Sequence, residues 1–314
     1  MDPVQKWTQS KNGPSPKMDP VRGWTWSKGC KIRARHYNQS VLTDRSDVLV
    51  LKEPVLIYVF SGSGNTLSLA ERVADVLLED GIAAQLRPLE RSDPGDTRRA
   101  GTIGLAFPVA MFSTYPFVWD FVENLPDGHN KDIFMLDTLA GFSGGIVGPL
   151  KRAVSTRGYC PIGATEIRMP SNYARTDREK PEDGRLRSRG RGKAASFAKD
   201  LASGRASWPS IPLLPDLVKR LGRDPRSSAW RAMRRKFPLS VDVQKCSRCG
   251  LCSKVCPVGN IIMEAFPGFG DSCLFCQRCI SLCPGEAIGV RGRSFVPYRG
   301  ADLEKMLDMA CNGR

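Results

Sequence analysis

No apolar run in this chain of 314 residues comes near the roughly 18 residues that a membrane span needs. The longest, at 55–60 and 103–107, are the size of strands. The start lacks a basic segment followed by an apolar one, so no secretory leader is read and a cytoplasmic location is expected. Histidine is scarce: His36 and His129 are the only two. Neither falls near the loops singled out below, and no set of His, Cys and carboxylate residues gathers there, which leaves little to carry acid–base or nucleophilic catalysis. Negative charge is also short, with 32 Asp and Glu against 47 Lys and Arg and a net charge of +15. The surplus concentrates at 175–236, where 18 basic residues face 7 acidic ones. Such a segment attracts anionic partners. It holds no recognition-helix motif and no basic strand interleaved with aromatics, so an acidic protein is expected there rather than nucleic acid.

Cysteine, by contrast, is plentiful at eleven. In a cytoplasmic chain thiols serve metals or catalysis more often than disulfides. Cys246, Cys249, Cys252 and Cys256 precede Pro257, and Cys273, Cys276, Cys279 and Cys283 precede Pro284. Each run reads C-x2-C-x2-C-x3-C-P, the spacing with which bacterial ferredoxins hold iron–sulfur clusters. A tight C-x2-C-x2-C loop gives three thiolates to one cluster, and the fourth, before proline, turns away to the other. Cys246, Cys249, Cys252 and Cys283 are therefore expected to hold one [4Fe-4S] cluster, and Cys273, Cys276, Cys279 and Cys256 a second. Zinc is the alternative, but its tetrahedral sites pair two CxxC elements per metal. Nothing in that chemistry asks twice for three cysteines at a three-residue spacing. Cys30, Cys160 and Cys311 have no motif partners and read as incidental thiols.

Residues 1–53 read as an extension. The segment 1–11 recurs in near copy at 18–28, and two copies are too few for a solenoid. The extension is expected to be poorly ordered. From 54 to 170, strand-like runs alternate with helix-like ones, which points to a parallel α/β sheet. Strands are expected at 54–60, 83–87, 101–107, 133–136 and 162–169. Leu67, Ala70, Val73, Ala74, Leu77 and Leu78 recur at helical spacing after the first strand. A short helix is expected at 117–124. The expected fold is a flavodoxin-like, doubly wound parallel sheet. A basic connector at 171–237 follows, with helices at 194–202 and 213–221 and an arginine-rich stretch, 185–193, of little core-forming content. A small α+β ferredoxin domain with two clusters at 238–290 and a tail at 291–314, with a helix at 301–310, complete the chain.

Ser61, Gly62, Ser63, Gly64, Asn65 and Thr66 follow the first strand and open the first helix. Backbone N–H groups at a helix N-terminus form an anion site. Hydroxyls of Ser61, Ser63 and Thr66 add donors that suit a monophosphate, and Gly62 and Gly64 permit close approach of its oxygens. A dinucleotide fingerprint fails because position 67 is Leu, and the G-K-[ST] of a P-loop is absent. In such sheets ligands sit beyond the C-terminal strand ends. The rest of the ligand should therefore meet the loops at 108–115 and 138–145, through Pro108, Val109, Gly141 and Gly144. Met111, Phe112 and Tyr115 could stack on a flat ring, or could be packing.

The stretches IYVFSGSGNT, GLAFPVAMFSTYP and IRMPSNY, together with the two cysteine runs, resemble the fused flavodoxin-like and ferredoxin proteins called EFR family ferredoxins, over about residues 54–290. The resemblance implies FMN in the first domain, two [4Fe-4S] clusters in the second and electron transfer between them. The chain departs from it at Phe142 in TLAGFSGGIVG and in the long basic segment 175–193. The leading reading is an electron-transfer protein that passes electrons among FMN, clusters and an acidic redox partner protein. A reductase using the same cofactors on a small substrate, and an iron–sulfur protein binding nucleic acid through its connector, are the alternatives.

Overall fold

Every residue of β1 (Val55–Val59) is buried, the pattern of a strand covered on both faces. In this computed structural model, which describes residues 51–141, 145–173, 175–209 and 224–311, β1 pairs in parallel with β2 (Ala84–Pro88) and β3 (Thr102–Pro108). β4 (Asp132–Leu139) and β5 (Cys160–Arg168) continue the sheet in parallel. The order β2-β1-β3-β4-β5 is that of the flavodoxin-like doubly wound sheet. All five expected strands are present, with bounds moved by one to three residues.

Helix α1 (Asn65–Glu79) buries Leu67, Leu69, Ala70, Val73, Val76 and Leu77, one face at helical spacing, against the sheet. On the opposite face lie α2 (Pro116–Glu123) and α3 (Val147–Thr156), around Phe107, Trp119, Met135 and Leu150. The crossover from β2 to β3 uses only two 3-10 turns, Leu89–Arg91 and Pro94–Arg99.

The helix expected at 194–202 starts earlier. It takes in the arginine-rich stretch 185–193 and runs over Asp183–Ala202 (α4), 20 residues in all. Its buried positions, Asp183, Gly190, Ala194, Phe197, Ala198 and Leu201, share one face that packs on α1 and β5, while the arginines stay in solvent. Part of the expected connector is thus a layer of the first domain.

Arg175 ties this helix down. Its side chain is 1% exposed and donates to the carbonyl oxygens of Ser171, Asp177 and Arg178 and to Asp183 Oδ2 at 2.5 Å. Burial pushes the Asp183 carboxyl up, but the bonds from Arg175 and the Lys180 N–H outweigh it and hold the group below the ordinary carboxylate range. A depressed carboxyl contributes stability above its unfolded pKa of about 4 and loses it as pH falls through the folded value. Asp183→Asn should therefore cost about 2 kcal/mol at pH 7. The gap to wild type should narrow progressively in urea unfolding as pH falls below about 4 and through the lower folded value. A gap that does not narrow below about pH 4 would refute the assignment.

The second domain has two similar halves. β6 (Leu239–Val241) pairs antiparallel with β9 (Ile288–Val290), and β7 (Ile261–Met263) with β8 (Pro267–Phe269). Short helices α6 (Leu251–Lys254) and α7 (Arg278–Ser281) follow the two cysteine loops. Before them, α5 (Ser228–Lys236) is capped by Ser227, whose hydroxyl accepts from the Trp230 N–H. The apolar core here is small, centred on Phe237, Ile261, Phe275 and Ile280. The tail helix α8 (Leu303–Cys311) returns to the first domain and buries Met306 and Ala310 in its core. The helix expected at 213–221 and nearly all of the 1–53 extension lie outside the described residues. No described helix is long and apolar enough to cross a membrane.

Candidate functional site

The loop 61–66 leaves β1 and turns into α1 through Gly64, whose φ is 99°. Ser61 Oγ accepts from the Gly64 N–H at 3.0 Å, and the Thr66 and Thr138 hydroxyls bond at 2.8 Å, joining the loops that follow β1 and β4. Asn172 Nδ2 donates to Ser63 Oγ at 2.9 Å, and Asn65 Nδ2 to the Pro170 carbonyl at 2.9 Å. The N–H groups of Gly62, Ser63, Asn65 and Thr66 have no acceptor among the described residues. Four open donors at the positive end of a helix form a cradle for an anion.

A cavity of about 200 Å³ opens here. That is below the roughly 300–1,000 Å³ typical of ligand pockets, so only part of a mononucleotide is enclosed. Of the expected residues, Ser61, Gly62, Ser63, Asn65, Thr66, Pro108 and Val109 line it. Gly64 shapes the turn without lining the cavity, Gly141 is exposed and follows the wall residue Ala140 without being a wall itself, and Gly144 lies outside the described residues. Tyr115, Asn172 and Cys276 are walls as well. Phe112 is not a wall: it is 60% exposed. Tyr115 is stacked on Phe117 at 5.5 Å and on Trp230 at 6.0 Å, which holds its ring in place. Asp137, next to Thr138, is fully buried with neither oxygen partnered. Burial, and then the Glu166 carboxylate opposite it across β4 and β5, push it well above the ordinary carboxylate range.

The second domain closes on this loop. A Cβ at Gly62 would stand 2.0 Å from the Cys276 carbonyl oxygen, and one at Gly64 would stand 2.5 Å from the Ala301 nitrogen. Both glycines, expected to admit phosphate oxygens, are therefore required by neighbouring backbone. Gly300 N–H donates to the Ser63 carbonyl at 2.6 Å, and Tyr298 Oη to Asn65 Oδ1 at 2.7 Å. Arg278 Nε donates to the Ser61 carbonyl at 3.1 Å, its guanidinium lies 4.5 Å over the Phe60 ring, and it is paired with Glu90. Sequence reasoning missed these contacts, because partners as far apart as Ser63 and Gly300 leave no local pattern.

The cysteines gather in two sets. Cys246, Cys249, Cys252 and Cys283 line one cavity, and Cys256, Cys273, Cys276 and Cys279 line the other. Backbone N–H groups point at three sulfurs: Asn260 at Cys256 (3.2 Å), Phe275 at Cys273 (3.4 Å) and Ala287 at Cys283 (3.3 Å). Such bonds favour thiolate and tune a cluster. Burial pushes the Cys276 thiol up to about 12 and Cys279 well above its ordinary range. Thiolates at these positions need compensating positive charge, of the kind that iron brings. Among the described residues no three His, Cys, Asp or Glu side chains have the spacing that holds a single ion. In each set the thiols surround a space. Cys276 belongs to both the second cysteine cavity and the loop 61–66 cavity.

Residues 238–284 match the family model of the 4Fe-4S dicluster domain. Among solved structures the chain is similar to the two-electron reduced flavodoxin of Megasphaera elsdenii, at 24% identity over 46% of this chain and 98% of that one, with a TM-score of 0.35. It is similar to the flavodoxin of Streptococcus pneumonia TIGR4 at 19% identity, over 47% and 96% of the two chains, with a TM-score of 0.36. For flavodoxin 2 of Bacillus cereus the values are 19%, 47% and 97%, with a TM-score of 0.35. No curated protein matches the chain. The dicluster match supports an iron–sulfur domain and a redox role in electron transfer.

Proposed function

We propose that the chain passes electrons between an FMN held at loop 61–66, two [4Fe-4S] clusters and an acidic redox partner protein. The observation that carries this reading is Cys276, which lines the mononucleotide cavity and the second cysteine cavity together. Four open N–H groups at the start of α1 suit the phosphate of FMN. Cys246, Cys249, Cys252 and Cys283 would hold one cluster, and Cys256, Cys273, Cys276 and Cys279 the other, as their two cavities support. When bound, the flavin exchanges electrons one or two at a time and each cluster exchanges one.

The residues of the chain set the geometry. Arg278 keeps Ser61 against the cysteine loop, and Tyr115, Phe117 and Trp230 pack the wall beside Cys276 against water. Cys249 is the exposed cysteine of the first set, with Lys245, Arg248 and Lys254 exposed nearby in sequence. That end suits docking of an acidic partner.

Protein purified without oxygen should carry about eight iron atoms per chain, four for each cluster. It should also carry FMN in a one-to-one ratio. Cys283→Ser should remove the first cluster and leave about four irons with the second, because the two ligand sets cross over. A single metal per chain, or a folded protein that takes up no flavin, would sink the reading.

A further inference from the structure

A second cavity, of about 440 Å³, shares no lining residue with the first. It lies where the β2–β3 crossover runs as the two 3-10 turns in place of the helix that usually joins parallel strands. A turn of that kind covers less of the sheet, and the β1 residues Leu56 and Tyr58 are left as walls. Arg87, Arg91, Ser92, Asp96 and Arg99 form the rest of the polar lining. Three guanidiniums and one carboxylate line the space, which favours an anion such as phosphate, and Arg87 also donates to Gln85 Oε1 at 3.0 Å.

The side chains are held ready. Arg91 donates to the carbonyl oxygens of Cys311 at 3.1 Å and Lys254 at 2.6 Å, which fixes its fork between two helix C-termini. Arg99 makes no ion pair or hydrogen bond among the described residues. Tyr58 is 1% exposed, and its hydroxyl makes no hydrogen bond among the described residues. It is not one of the buried unpartnered groups, so it opens on the cavity and is available to a water or a ligand atom. Burial first, then Asp96, push this phenol up to about 12, so it stays a proton donor.

We infer that this cavity binds a small organic phosphate. Its phosphate oxygens meet Arg87, Arg91 and Arg99, and a hydroxyl of the same molecule meets Tyr58 and Asp96. The volume fits a small metabolite, and arginine forks suit phosphate geometry.

The test is calorimetry on the full chain loaded with clusters and saturated with FMN, so that loop 61–66 is filled. Glycerol 3-phosphate and inorganic phosphate are the probes, against chloride at equal ionic strength. One site should be found, and Arg99→Gln should weaken both probes about tenfold or more. Tyr58→Phe should weaken glycerol 3-phosphate more than inorganic phosphate. Arg99→Gln should unfold at the wild-type temperature, since Arg99 has no partner to lose. No heat in the saturated protein would overturn the proposal. So would binding that survives Arg99→Gln and disappears when FMN is added, because that site is loop 61–66.

Discussion

Arg278→Ala should cost about 3–5 kcal/mol, the usual effect of removing one member of a buried ion pair. Arg278 and Glu90 have side chains only 2% exposed, so solvent does little to screen the pair. Glu90 Oε2 already has no partner, and losing Arg278 would strand the whole carboxylate in the interior. The Ser61 carbonyl would lose its donor and the Phe60 ring its cation in the same step. Set against a typical total of about 5–15 kcal/mol, the change is large. A double variant with Glu90→Gln should recover part of it, since no charge is then left buried. Urea unfolding of the two variants decides the matter. A single variant within about 1 kcal/mol of wild type would show that the pair does not hold the domains together.

On the proposed electron path, Gly62→Ala should separate the loop 61–66 cavity from the second cysteine cavity. The added Cβ would sit 2.0 Å from the Cys276 carbonyl oxygen, and the opposing atom is backbone with no rotamer to escape through. Either the loop or the cysteine turn must move. Overpacking of this kind costs about 1–3 kcal/mol. The functional loss should be larger, because Cys276 is the wall shared by the two cavities. A displacement of this order at a reacting contact can cost about a hundredfold in rate. Rapid reduction of the flavin followed by the bleaching of the clusters measures it. Unchanged iron and flavin content with a slower second phase is the expected result. An unchanged second phase would refute a shared wall at Cys276.

Much of the fold is legible because it is written locally. The continuous buried runs of β1 and β3 and the helical spacing of Leu67, Ala70, Val73 and Leu77 are each set within a few residues. The early start of α4 has a physical cause. Residues 185–193 bury little beyond Gly190, as their composition indicates, but a helix needs only the narrow face of Gly190, Ala194 and Ala198 to pack on α1 and β5. The glycines of the loop show a second limit. A phosphate and a neighbouring backbone both require a missing side chain, and nothing in the sequence marks that Gly62 and Gly64 also admit the backbone of Cys276 and Ala301.

The cysteine spacing alone determined two sets of four thiols, because three cysteines at a three-residue spacing already wrap a loop around one centre. The loop 61–66 was equally readable, since its chemistry depends on adjacent N–H groups at one helix end. Only the tertiary structure decided that Cys276, rather than any of the other seven, stands at the wall of that loop. It also decided that Arg278 meets Glu90 from 188 residues away and that a shortened crossover leaves an arginine-lined cavity over β1. Contacts at such separations depend on how whole layers pack, and packing is a property of the assembled chain.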